Sequence, residues 1–221
     1  MKKVLFIGDS SILARKETRY SKIYTSLLKM KNKYEIEISG KTKNTSKEIC
    51  VNLETFMLHG YQPNVVVLHY GIVDVFPRPY PLALYKVLQG LGLLTKVDII
   101  LKKLKMYYTL GDIFNFKEIT VSNFKKYSED IVKKLLNKNV EKIIIIGIIK
   151  PSKVLLNSKN IDREILLYNN IYKDLSEKYS RIEYIDMYGV LSEKFTIWDG
   201  YHYSEEGSLY LAEEIERVIS D

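Results

Sequence analysis

Two short stretches at opposite ends of the chain hold residue types that together perform acyl transfer. Near the start, Gly8-Asp9-Ser10-Ser11 follows an apolar run. A glycine there lets the chain turn, and a serine at the turn presents its hydroxyl beside free backbone N–H groups. That hydroxyl is a poor nucleophile until a base takes its proton, so the chemistry demands a histidine held by a carboxylate. Near the other end, Trp198-Asp199-Gly200-Tyr201-His202-Tyr203-Ser204 places Asp199 three residues before His202, within one turn of the imidazole whose tautomer it would fix. Ser204, followed by Glu205 and Glu206, has the pattern of a helix N-cap with acids in the first turn, which puts His202 in a loop just before a helix. The rival reading of the first loop, a phosphate cradle, lacks the further glycines and the Gly-Lys-Ser/Thr ending of a P-loop.

Other residues flank this pair. Arg15 and Arg78 follow the loops where a site is expected, and a guanidinium there either clamps a carboxylate or phosphate of the substrate or makes a surface ion pair. His69 ends a strand beside the predicted site, as a second acid–base group or a packed, hydrogen-bonded one. His59, ahead of Gly60 at the end of a helical pattern, reads as structural. Tyr70, Tyr80, Tyr201 and Tyr203 either stack on sugar rings or pack with their hydroxyls wet.

The elements that must position these groups alternate. Runs rich in Val and Ile at 3–7, 34–39, 64–70, 142–149 and 181–186 lack polar alternation and read as buried parallel strands. Segments near 17–31, 44–60, 119–138, 161–179 and 205–219 carry apolar residues at three- and four-residue spacing and read as helices. This alternation predicts a five-stranded parallel sheet covered by helices on both faces, an α/β class. Ligands of such sheets bind at the carboxyl ends of the strands, where Ser10 falls. The segment 71–118, after the third strand, is too long for a simple crossover. It carries Pro77, Pro79 and Pro81, an apolar, partly helical stretch Leu82–Leu104 and the patch Met106-Tyr107-Tyr108. A helical insertion at about 75–118 either completes the core or covers the substrate.

With 221 residues, the chain is most economically one domain, 1–221, that buries about three quarters of its unfolded surface. Its single cysteine, Cys50, has no partner for an internal disulfide, and three histidines scattered at 59, 69 and 202 have no metal-ligand spacing. No metal and no organic cofactor is expected. The net charge of +7 is spread among interleaved lysines and acids, as in Lys125-Lys126 beside Glu129-Asp130, so no nucleic-acid partner is expected. The N-terminal apolar run ends at Gly8-Asp9, short of the about 7–15 residues of a signal-peptide core. Lys86, Gln89, Lys96 and Asp98 interrupt 81–101 well short of a membrane span. A cytoplasmic protein is the expectation, with its oligomeric state open.

The chain resembles the SGNH/GDSL hydrolase family across nearly its whole length. The family's first block corresponds to Gly8-Asp9-Ser10, its second-block glycine to Gly40, its third block to Gly71-Ile72-Val73-Asp74 and its last to Asp199 through His202. The resemblance implies a flavodoxin-like three-layer α/β/α sandwich, a Ser10–His202–Asp199 triad and an oxyanion hole built from the N–H groups of Ser10 and Gly40. Asp9, Arg15, Asn44, His69, Gly71, Asp74 and Arg78 are the substrate-contact candidates around it. One departure stands out: Val73 occupies the place of the asparagine that is the family's third oxyanion donor. Losing such a donor costs on the order of 3 kcal/mol of transition-state stabilisation; His69, Asn44 and the backbone around Val73 are the candidate replacements. The branch with Gly-Ile-Val-Asp followed by Pro-Arg is associated with bacterial surface polysaccharides. The implied substrate is a small-molecule or carbohydrate O-acyl ester, O-acetyl included. An O-acyltransferase with the same triad and a non-catalytic carbohydrate-binding module are the alternatives.

Overall fold

A computed structural model describes residues 1–58, 61–114, 116–151, 158, 160–190 and 192–220. Five strands, β1 (Lys2–Gly8), β2 (Tyr34–Gly40), β3 (Val65–His69), β4 (Lys142–Ile146) and β5 (Ile182–Ile185), form one parallel sheet in the order β2-β1-β3-β4-β5. The apolar runs of β1, β3 and β4 are its physical signature, because both faces are covered there. The edge strands depart from the expected lack of polar alternation, with Glu35 and Glu37 exposed in β2 and Glu183 exposed in β5. Val4, Phe6, Val65, Val67, Ile144 and Ile146 point into one core, packed by α1 (Tyr24–Met30) and α10 (Glu205–Ser220). Leu5, Ile7, Val66, Leu68, Ile143 and Ile145 point into the other, packed by α2 (Ser46–Leu58), α7 (Val121–Asn137) and α8 (Ile161–Lys178). Three layers result, and this strand order is the flavodoxin-like one whose direction of winding reverses between β1 and β3.

Local differences from the sequence reading have local causes. The predicted helix near 17–31 begins only at Tyr24, after a single 3₁₀ turn at Tyr20–Lys22. The preceding segment is drawn instead to the far end of the chain, where the buried Thr18 hydroxyl donates to the Tyr203 carbonyl at 2.9 Å. The fourth strand stops at Ile146, three residues before the apolar run ends. Beyond it the Asn169 side chain takes over the ladder's role, accepting from Ile148 N at 2.8 Å and donating to Ile148 O at 2.9 Å. Ile148 and Ile149 therefore stay buried without being strand. Residues 59 and 60, the His59-Gly60 helix end of the sequence reading, lie outside the described residues.

The segment after β3 contains a short helix α3 (Ile72–Val75) and then α4 (Leu82–Gly90), α5 (Leu94–Lys103) and α6 (Tyr107–Phe114). Its two ends are tied together: Arg78 N donates to Phe116 O at 2.7 Å, and the Arg78 guanidinium donates to Glu118 at 2.9 Å. The short helix α9 (Ser192–Phe195) leads into the loop before α10. Among the described residues no helix is long and apolar enough to cross a membrane, and no group of His, Cys, Asp and Glu is arranged to hold a metal ion.

Candidate active site

Gly8 closes β1 opposite Gly40 on one side and His69 on the other. Its φ is not positive; the glycine is needed because a Cβ there would stand 2.1 Å from the His69 carbonyl oxygen. Close packing of three strand ends, rather than a sharp turn, sets the residue type. The next residue, Asp9, is buried and caps a 3₁₀ turn over Ser10–Ile12, its Oδ1 accepting from Ser11 N at 2.8 Å. Ser10 heads that turn.

The partner loop is built just as locally. Gly200, with φ of 78°, turns the chain between Ile197 and His202, and Gly200 N and Ile197 N donate to the carbonyls of Ile197 and His202, both at 2.8 Å. The folded-back loop wraps the Asp199 carboxylate. Oδ1 accepts from Tyr201 N at 3.2 Å and His202 N at 3.0 Å, and Oδ2 accepts from His202 Nδ1 at 2.6 Å. Burial by itself would raise this carboxyl, but the hydrogen bonds from the His202 ring and from the backbone hold it below its ordinary value. Ser204 caps α10, its Oγ accepting from Gly207 N at 3.0 Å, as its place before Glu205 and Glu206 predicts.

These two loops meet across 192 residues of sequence: Ser10 Oγ lies 2.9 Å from His202 Nε2. With Nδ1–H given to Asp199, Nε2 is left as the acceptor that a general base must offer. A second group also addresses that atom, since Arg15 Nη2 is in hydrogen-bond contact with Nε2. Nε2 has one lone pair, so Ser10 and Arg15 compete for it.

The meeting point opens into a cleft of about 890 Å³ between the carboxyl edge of the sheet and the inserted helices. Ser10, Arg15, Ile72, Val73, Asp199 and His202 line its floor. Its wall comes from the insertion, through Phe76, Arg78, Tyr80, Tyr85, Leu94, Asp98, Lys102, Lys105, Tyr107, Tyr108 and Glu118. The insertion thus lines the cleft and also packs into the fold, with Tyr107 buried. Of this wall, Arg78, Tyr80 and the patch at Met106-Tyr107-Tyr108 were visible in the sequence; Phe76, Tyr85, Leu94, Lys102, Lys105 and Glu118 were not.

Among the candidate contacts, Arg15 and Arg78 face the cleft, and Arg78 is already engaged by Glu118. Tyr80 and Tyr201 line it, whereas Tyr70 and Tyr203 are buried in the two cores. His69 is buried with its Nδ1 2.8 Å from the Tyr24 hydroxyl, and burial together with the nearby His202 pushes its pKa down to about 3. It is a packed neutral ring. Asn44 donates to Gly8 O at 3.1 Å and lines, with Gly40, a separate cavity of about 490 Å³. Gly40 lies under the serine turn, where a Cβ would stand 2.7 Å from the Ile12 side chain. Gly71, with φ of 112°, adopts a backbone that favours glycine. Asp74 is buried and accepts from Ser46 N at 3.1 Å and Ser46 Oγ at 2.8 Å, fastening the third block to the start of α2.

The buried acids give the fold a pH dependence. Burial pushes Asp9 up to about 6 and Asp74 up to about 8, against the hydrogen bonds from Ser11 and Ser46 that lower them. A carboxyl raised on folding holds its proton better in the native state, so stability falls as pH rises from its unfolded value to its folded one. For Asp9 that window closes near pH 6. His69 works oppositely, contributing stability that is present above about 6.5 and lost toward 3. Between pH 6.5 and 8 Asp74 acts alone among these three, and the wild type is expected to lose about 1–2 kcal/mol there. Asp74→Asn should flatten that decline, read as Tm at the two pH values; equal slopes for both proteins would refute the assignment.

No protein-family model matches the chain, and no curated protein matches it. Solved structures do. An acetyl xylan esterase superposes with a TM-score of 0.67 at 20% identity, over 98% of this chain and 99% of that one. A lipase/acylhydrolase from Enterococcus faecalis gives 0.67 at 17% identity, over 99% and 95%. A catalytic mutant of an acetylxylan esterase from Geobacillus stearothermophilus gives 0.64 at 16% identity, over 98% and 93%. Nearly end to end, this chain has the fold on which those esterases and that acylhydrolase are built.

Proposed function

We propose that the protein is a serine ester hydrolase that cleaves an O-acyl group, acetyl above all, from a carbohydrate. The observation that carries this reading is the unbroken hydrogen-bonded series from Ser10 Oγ through both nitrogens of His202 to Asp199, opening on a cleft. Ser10 Oγ attacks the ester carbonyl while His202 Nε2 takes its proton. The tetrahedral intermediate collapses, the alcohol leaves with that proton, and an acyl-Ser10 remains. Water, deprotonated by the same nitrogen, then releases the acid and restores Ser10. The N–H of Ser10, on the cleft floor, is the proposed oxyanion donor; Gly40, the second donor that the family resemblance implies, lines the neighbouring cavity instead. Aromatic side chains along the cleft, among them Phe76, Tyr108, Tyr201 and the rim residue Trp198, suit a sugar. The acetyl xylan esterases that share the fold favour the same substrate class.

The first test is labelling with a fluorophosphonate followed by mass spectrometry. A single adduct on Ser10, accompanied by hydrolysis of 4-nitrophenyl acetate, supports the reading; an unlabelled protein with no turnover refutes it. Supplying a sugar acceptor during turnover separates a hydrolase from an acyltransferase by whether free acid or acylated sugar accumulates.

Val73 offers a gain-of-function test. Of the three candidate stand-ins for the absent amide, His69 and Asn44 do not line the cleft, which leaves the backbone around Val73, a residue that does. A side-chain amide there would point a new donor at the site, and an oxyanion donor is worth about 10²–10³ in kcat where it is established. Val73→Asn is expected to raise kcat on 4-nitrophenyl acetate by about tenfold or more. An unchanged or lower kcat in a folded variant would show that another group already fills that role.

A further inference from the structure

Five cations and three carboxylates line the cleft. The carboxylates are all engaged: Glu118 by Arg78 and Tyr85, Asp98 by Tyr80, Asp199 by His202. Of the cations, only Arg78 makes a salt bridge among the described residues. Arg15, Lys43, Lys102 and Lys105 make none, and the buried Asp9 carboxyl acts on Arg15 only from beyond contact distance. Arg15 is the one that reaches the chemistry, because its Nη2 contacts His202 Nε2 while its Nε is buried without any hydrogen-bond partner.

That position is costly for a plain esterase. The guanidinium occupies the lone pair that must accept the Ser10 proton, and it opposes the positive charge the imidazole gains as it does so. An unpaired buried N–H adds its own desolvation penalty. A single event removes all three costs, namely the arrival of an anion that draws the guanidinium off His202 and satisfies its N–H groups in a fork.

We infer that the substrate is an anionic sugar ester, whose carboxylate or phosphate is bound by Arg15 with Lys43, Lys102 and Lys105 as the surrounding field. This rests on the esterase reading above and names its substrate class. Binding the anion frees Nε2 for Ser10, so recognition and activation of the base become one event. A neutral ester leaves Arg15 on the histidine and reacts slowly.

The test compares kcat/KM for acetylated glucuronate, an acetylated hexose phosphate and acetylated glucose, with 4-nitrophenyl acetate as a further neutral ester. Wild type should prefer an anionic sugar to acetylated glucose by about 10–100-fold, the worth of a charge-assisted hydrogen-bonded pair; whichever anion wins identifies carboxylate or phosphate. Arg15→Ala should lose most of that preference while turnover of the neutral esters rises severalfold, and Arg15→Lys should keep part of the preference. Calorimetric binding of glucuronate and of inorganic phosphate to wild type and Arg15→Ala reads the anion site without turnover. If wild type shows no preference and binds neither anion, the inference is overturned. If Arg15→Ala lowers anionic and neutral substrates by the same factor, Arg15 serves the oxyanion instead and the inference is equally overturned. Fluorophosphonate labelling of Ser10 in the same samples distinguishes these results from a failure of the esterase reading itself.

Discussion

Ser10→Ala is expected to lower kcat on 4-nitrophenyl acetate by about 10³–10⁶-fold, to the level left by binding and the oxyanion donors alone, and to abolish fluorophosphonate labelling. The same substitution should leave the fold intact. The hydroxyl's recorded hydrogen bond is to His202 Nε2, and its removal does not orphan that nitrogen, because Arg15 still addresses it. The turn that holds Ser10 is set by the backbone and by Asp9, neither of which uses the hydroxyl. A change in unfolding free energy within about 0.5 kcal/mol is therefore expected. A folded variant that keeps more than a tenth of the wild-type rate would exclude acyl-Ser10 chemistry, and a variant that loses its fold would show that the hydroxyl matters to the loop in a way its hydrogen bond does not reveal.

The contrast between rate and stability at Ser10 reflects which features the sequence makes legible. The central strands were readable because a parallel sheet buried on both faces demands apolar runs. The edge strand β2 came through its alternation with exposed Glu35 and Glu37, and four of the five strands end within one residue of the predicted bounds. The fourth overshot, since Ile148 and Ile149 satisfy burial without satisfying the ladder, a distinction carried by Asn169 from another element. The Asp199–His202 unit was readable because it is local: a three-residue spacing and a turn suffice to bring carboxylate and imidazole together. Its union with Ser10 needed the fold, and the resemblance to a known family supplied that. Arg15 on Nε2 was not readable, because residues 187 apart meet only when the segment after the serine turn is pinned by Thr18 to the backbone of Tyr203. The cleft wall failed for a related reason. Helices α4, α5 and α6 carry exposed apolar residues, including Val87, Ile99, Ile100 and Ile113, so their composition does not announce which side turns inward.

Asp199→Asn is expected to lower kcat by about 10⁴-fold with little change in Tm. The carboxylate's two oxygens have separate duties: Oδ1 accepts from two backbone N–H groups and Oδ2 accepts from the imidazole. An asparagine has one acceptor oxygen, and the two backbone donors claim it. Its NH₂ then faces His202 Nδ1 and donates, which drives the ring proton to Nε2. In that tautomer Nε2 cannot take the Ser10 proton, and its N–H points at the Arg15 guanidinium, donor against donor, so the arginine must swing away. Loop geometry survives because the backbone bonds to the side-chain oxygen survive. Asp199→Ala removes the oxygen as well, leaving the N–H groups of Tyr201 and His202 unpaired, and should cost about 1–3 kcal/mol of stability besides the activity. The pair of variants thus separates tautomer from scaffold: if Asp199→Asn retains activity within tenfold of wild type, His202 does not act as the base in the form the hydrogen bonds assign, and if it unfolds as readily as Asp199→Ala, the carboxylate's charge rather than its acceptor geometry holds the loop.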